Sequence, residues 1–185
     1  MSLFNIIWII WFTSEILLNR LVRSGSADKK NQDKGSLIFI WIMIALAITS
    51  GILLSKFIKI PISNQLLIPN IGLLTIVLGI ILRFFSIWTL GKLFTVDVTI
   101  RNNHKIKKDG LYKVIRHPSY LGSLLSFIGF GLSLNNWLSI IAITFFIMTA
   151  FLYRIKIEEK ALIDHFGKDY LDYKKKTYRL IPWVY

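Results

Sequence analysis

Five apolar runs separated by polar stretches organise the chain: residues 3–18, 37–54, 68–90, 120–134 and 137–153. A helix needs roughly 17 to 25 residues to cross a hydrocarbon core about 30 Å thick, and each run meets or approaches that length. The pattern predicts an all-α polytopic membrane protein with five transmembrane helices, a cytoplasmic connecting loop and a C-terminal interfacial helix. The first run has no basic leader and no small-residue cleavage site after it, so it is expected to be a retained span, not a signal peptide. Only Asn135 and Asn136 separate the fourth and fifth runs, which predicts a tight helical hairpin. Gly122, Gly129 and Gly131 would let a neighbouring backbone come close to the fourth helix. Two regions are expected within one integrated domain: residues 1–90, holding three spans, and residues 91–185, holding the loop, the hairpin and a polar C-terminal segment.

Composition supports the membrane reading. The 185 residues are 54% hydrophobic, with a mean hydropathy of +0.57, whereas soluble domains reach roughly 45–50% apolar even with glycine counted. The net charge of +13 is then read as topology, with no call for nucleic acid. Five basic residues fall in 19–36, seven in 91–119 and eight from 154 onward, against Lys56 and Lys59 on the opposite side. The bias puts the N-terminus outside, and the C-terminus and both long polar segments in the cytoplasm. With no cysteine, disulfides, thiolate metal sites and cysteine nucleophiles are excluded.

Glu15 and Arg83 are the ionisable residues left inside spans, and intramembrane charge marks a functional candidate. Both lie some turns before the cytoplasmic ends of spans running in the same direction. They are expected either to pair or, for Arg83, to snorkel to the interface.

Candidate chemistry gathers in two stretches. In "GLYKVIRHPSYLG", residues 110–122, Pro118 suits the first turn of a helix, so the fourth span should begin at His117 or Pro118. A helix N-terminus flanked by Arg116 and His117 suits a carboxylate or phosphate, though lipid phosphates would account for Arg116 equally well. In "RIKIEEKALIDHFGKDYLDYKKKTYRLIP", residues 154–182, Arg154 and Glu158 are spaced i, i+4, so they share a face and can pair or jointly hold a zwitterion. Gly167 reads as a helix stop, followed by a short amphipathic turn whose Lys174, Lys175 and Lys176 are assigned to anionic lipid. His104, His117 and His165 are too dispersed for a metal site, no Gly-rich phosphate loop is present, and Ser119 and Ser123 lack a base to make them nucleophiles.

The run "HKIKKDGLYKVIRHPSYLG", a charge-free hairpin, then "RxxxEE", "FGxxYxxY" and "RLIP" resembles the isoprenylcysteine carboxyl methyltransferase family over about the last half of the chain. The resemblance implies S-adenosyl-L-methionine as cofactor, bound by His104, Lys105, Ile106, Lys107, Tyr112, His117, Pro118, Ser119, Tyr120 and Glu158. It implies a catalytic pair, Arg154 and Glu158, with Arg154 facing the substrate carboxylate, and no metal. The acceptor it implies is lipid-like or prenylated, reached from the surrounding membrane lipids. Three alternatives remain beside this one: phospholipid N-methylation, an NADPH-dependent sterol-type reductase that shares the "RHPSY" motif at the doorway to the fourth run, and a non-enzymatic membrane scaffold.

Overall fold

In the computed structural model, residues 3–21, 35–94 and 105–183 are described, and each apolar run is a helix. These are α1 (Leu3–Leu21), α2 (Ser36–Phe57), α3 (Leu67–Leu90), α4 (Pro118–Ser133) and α5 (Trp137–Phe166), followed by a short α6 (Lys168–Lys175). Single 3-10 turns at Gly91–Leu93 and Gly110–Lys113 flank the polar connection. Among the described residues there is no strand, and two isolated bridges, Pro61 with Asn136 and Ile115 with Tyr178, fasten connections to one another.

The local signals act as their chemistry dictates. Pro118 is the first residue of α4, and His117, with φ −123 and ψ 58, caps it. Asn136 caps α5 by accepting a hydrogen bond from Ser139 N at 3.0 Å, while Asn135 takes a positive φ of 49, which Asn tolerates better than most residues. The same two asparagines bind the α2–α3 connection: Asn135 exchanges hydrogen bonds with Ser63, and Asn136 Nδ2 donates to Ile58 O at 2.5 Å. Gly167 ends α5 at φ 55, a left-handed value that favours glycine.

α4 is the enclosed strut of the bundle. Eleven of its sixteen residues are buried, against five of twenty-two in α2, so α4 packs on protein while its neighbours face outward. Its seam with antiparallel α3 is built on glycines at heptad spacing, Gly72 and Gly79 against Gly129 and Gly122. A Cβ on Gly79 would sit 2.6 Å from Gly122 O, one on Gly122 2.6 Å from Arg83 N, and one on Gly129 2.6 Å from Gly72 O. The obstacles are backbone atoms, so the helices touch main chain to main chain. This close approach brings Arg83 against the first turn of α4.

The outer faces are apolar. Ile38, Ile42 and Leu46 on α2, Leu74, Leu78 and Ile81 on α3, and Ile141 and Phe145 on α5 are exposed, a continuous greasy surface that lipid tolerates and water does not. Helices α2, α3 and α5 are long and apolar enough to cross a membrane, and the protein is an integral membrane protein. At 30 residues α5 extends about 45 Å, beyond the roughly 30 Å hydrocarbon core. Its charged end, from Arg154 onward, therefore projects past the apolar part.

The tail straps that projecting end to the start of α4. Arg116 N donates to Tyr178 O at 2.9 Å, Tyr178 N to Val114 O at 2.9 Å and His117 N to Arg179 O at 3.2 Å. Leu180 is fully buried below this strap and Ile181 packs against the core.

Gly79→Ala tests the seam. Alanine gains about 1 kcal/mol of helix propensity over glycine, so a loose seam would leave the variant more stable. The backbone contact predicts net destabilisation by about 2 kcal/mol in detergent unfolding, with the outward-facing control Leu78→Ala within about 0.5 kcal/mol of the parent.

Candidate functional site

Where α4 begins and α5 leaves the apolar layer, a cavity opens between α1 to α6. Its volume of about 180 Å³ is several times the roughly 30 Å³ share of one liquid water. Its lining is mixed: Lys105, Lys107, Tyr112, His117, Tyr120 and Glu158 supply polar groups, while Leu37, Ile40, Trp41 and Ile44 of α2, with Phe127 and Phe151, supply apolar surface.

The polar lining is built around Glu159. Its carboxylate is 3% exposed, and burying such a charge is costly unless cations meet it. Three do, Arg116 Nε at 2.9 Å, Arg179 Nη2 at 3.0 Å and Lys174 Nζ at 3.1 Å, and the His117 ring lies beside them with Nε2 at 3.5 Å. Burial by itself would raise this carboxyl, but the nearby His117 ring and the hydrogen bonds from Arg116 and Arg179 outweigh it and hold the group well below the usual carboxylate range. Arg116 also donates Nη1 to the carbonyls of Lys174, at 3.0 Å, and Thr177. One carboxylate thus joins α5, the doorway before α4, α6 and the tail.

Glu158, the preceding residue, lies about 100° round the helix and turns to the cavity, where it is 33% exposed. It accepts a hydrogen bond from Tyr120 Oη at 3.0 Å, and its Oε1 is 3.8 Å from His117 Nδ1. The His117 ring therefore stands between the two glutamates, Nδ1 toward Glu158 and Nε2 toward Glu159. Arg154, 2% exposed, also bears on Tyr120 and donates Nη1 to Ser36 Oγ at the head of α2. Tyr173 Oη donates to Tyr112 O at 2.6 Å and Tyr112 Oη to Ser86 O at 3.2 Å. Burial pushes the Tyr173 phenol up to about 12, while burial and then the Glu158 charge raise Tyr112, so both are neutral hydrogen-bond donors at ordinary pH.

Glu15 and Arg83 do pair, Oε2 to Nη2 at 2.9 Å. Arg83 Nη1 lies 3.3 Å from both Ser119 O and Ser119 Oγ, and Ser123 Oγ donates to Glu15 Oε1 at 3.4 Å. All four residues line the cavity.

Of the residues singled out in the sequence, Lys105, Ile106, Lys107, Tyr112, His117, Pro118, Ser119, Tyr120, Arg154 and Glu158 come together at this one cavity. His104 lies outside the described residues. Two expectations are corrected. Arg116 turns inward to Glu159 instead of outward to lipid phosphate, and Lys174 joins it there, because the buried carboxylate attracts both. Sequence reasoning missed Glu159, Arg179, Tyr170 and Tyr173, and it did not connect Glu15 and Arg83 to the site. The "EE" doublet was the signal for Glu159, since two adjacent acids on a helix must face different surroundings.

Comparison with known proteins bears on what this cavity serves. A family model described as "Isoprenylcysteine carboxyl methyltransferase (ICMT) family" matches residues 71–164. The chain is 39% identical over 119 residues to protein-S-isoprenylcysteine O-methyltransferase B of Arabidopsis thaliana, covering 63% of this chain and 60% of that protein. It is 37% identical over 116 residues to the Saccharomyces cerevisiae protein-S-isoprenylcysteine O-methyltransferase, covering 62% and 48%. The solved structure of the eukaryotic intramembrane Ras methyltransferase ICMT superposes with a TM-score of 0.68 at 28% identity, covering 98% of this chain and 65% of that one. The matches thus span less than two thirds of the length of these relatives.

Glu159→Gln should be the most damaging isosteric change in the polar lining, since it leaves buried cations uncompensated; a loss of about 3–5 kcal/mol is expected in detergent unfolding at pH 7. The pH dependence has a definite sign. A carboxylate depressed in the fold contributes stability that is full above its ordinary value of about 4.5 and is lost as pH falls toward the folded value. Unfolding measured from pH 7 down to 3 should therefore show a smaller acid-induced loss in Glu159→Gln than in the parent.

Proposed function

The chain belongs to the isoprenylcysteine carboxyl methyltransferase family, and from that premise we propose that it is an integral-membrane methyltransferase using S-adenosyl-L-methionine to esterify a carboxylate on a prenylated or similarly lipid-like acceptor. In this reading α1 to α5 are five spans, the N-terminus lies outside, and the cavity opens at the cytoplasmic interface, where the basic residues concentrate. The observation that carries it is the mixed lining of one cavity, where polar residues of the family-like motifs, Arg154 and Glu158 among them, meet apolar residues of α2, α4 and α5.

The residues present suit the cofactor. Glu158 offers an exposed carboxylate edge for an ammonium or ribose hydroxyls, while His117, Lys105 and Lys107 offer positive charge or donors for a carboxylate. When bound, S-adenosyl-L-methionine supplies a methyl group already activated on a sulfonium. The chain's own work is positioning and desolvation. A carboxylate acceptor is ionised at neutral pH and requires no general base. Arg154 can grip it through a planar fork, and its own burial keeps water from competing for that fork. Trp41, Ile44, Phe127 and Phe151 give the acceptor's hydrocarbon a dry surface beside it.

Isothermal titration with S-adenosylhomocysteine, with NADPH titrated in parallel, tests the reading. Binding of S-adenosylhomocysteine is expected, weakened about tenfold or more in Glu158→Ala, equivalent to roughly 1.4 kcal/mol. In Arg154→Ala the affinity should stay within about threefold while methyl transfer falls by about a hundredfold, the scale of a lost charge-assisted contact. Binding of NADPH in place of S-adenosylhomocysteine contradicts the proposal and favours the reductase.

A further inference from the structure

We propose that Glu15 is the resident counter-ion of Arg83, and that the acceptor's carboxylate takes its place on that guanidinium during binding. The inference rests on the carboxyl methyltransferase reading of the cavity and adds to it a second acceptor contact, together with a built-in competitor for that contact. Glu15 lies on α1, outside residues 71–164 where the family model matches.

The geometry of the pair is that of an exchangeable contact. A guanidinium takes a carboxylate bidentately along its Nε–Nη2 edge. Here that edge is half used: Nη2 meets Glu15 Oε2 at 2.9 Å, whereas Nε is buried with no hydrogen-bond partner among the described residues. Glu15 is not turned to satisfy Nε, because its other oxygen accepts from Ser123 Oγ at 3.4 Å. Leaving a buried donor unmet is costly, so the monodentate pairing falls short of what this arginine can make.

Arg83 does not need Glu15 to hold its position. Its Nη1 is placed by Ser119 O and Oγ, both at 3.3 Å, and its backbone is pressed against Gly122 by the glycine seam. Glu15 has a second anchor in Ser123 and a side chain 12% exposed on the cavity wall. Exchanging one carboxylate for another keeps Arg83 compensated inside the membrane, where an unpaired charge is expensive. A neutral acceptor offers no such exchange and leaves Glu15 in place.

A structural ion pair and an exchangeable one predict opposite signs for one substitution. Methyl transfer to S-farnesyl cysteine with a free carboxylate is measured in the parent, Glu15→Gln and Arg83→Gln, with S-adenosylhomocysteine affinity as the check on folding. Removing the competitor should lower the acceptor KM by about fivefold in Glu15→Gln, removing the binding group should raise it by at least about tenfold in Arg83→Gln, and donor affinity should hold within about twofold in both. Glu15→Asp keeps the charge but shortens its reach to Arg83, and should lower KM by about twofold; it decides the matter if Glu15→Gln fails to fold. A KM that is raised or unchanged in Glu15→Gln, or in Glu15→Asp where that variant decides, makes the pair a strut and overturns this inference alone. Absence of transfer by the parent overturns the methyltransferase reading, and this inference with it.

Discussion

A single buried carboxylate, Glu159, sets the architecture of the polar end of the molecule. It sits on α5 just where that helix leaves the apolar layer, and it is stable there because Arg116, Arg179, Lys174 and His117 converge on it. The cations Arg116, Lys174 and Arg179 come from the segment before α4, from α6 and from the tail, so the electrostatic requirement of one residue closes three loops at once. The parallel backbone pairing of residues 114–117 with 178–179 is consistent with that closure. It leaves Glu158, the next residue back, free to face the cavity with Tyr120 and the other nitrogen of His117.

Below this polar layer the constraint is steric. The glycine seam of α3 and α4 lets two backbones touch, and that contact places the Arg83 guanidinium on the first turn of α4. The Glu15–Arg83 pair then forms part of the lining of the cavity, beside Ser119 and Ser123. The same packing that gives α4 its support therefore puts two ionised side chains within the bundle, close to the residues of the doorway.

Much of this is legible in the sequence because it is local. Apolar runs of spanning length, Pro118 at a helix start, Gly167 at a helix end and the Asn135–Asn136 turn each act within a few residues, and each element lies close to where its signals place it. The convergence of "RHPSY" with "RxxxE" followed from the hairpin between them. What sequence reasoning could not reach depends on side chains meeting across long separations. Glu158 and Glu159 are chemically identical, and one residue of helical rotation decides which becomes the buried hub. Lys174 looks like its neighbours in a lysine run until α6 is docked. Arg116 likewise reads as an interfacial cation until the tail returns to cover it.

The central claim is chemical: the cavity joins a methyl donor held by its polar residues to a carboxylate presented beside its apolar ones. The most direct test follows labelled methyl from S-adenosyl-L-methionine to S-farnesyl cysteine by the purified protein in lipid nanodiscs, and then treats the product with mild alkali. The account predicts transfer that depends on a free carboxylate, and label released by alkali as methanol, as an ester requires. No transfer, or an alkali-stable label carried on nitrogen, would contradict it.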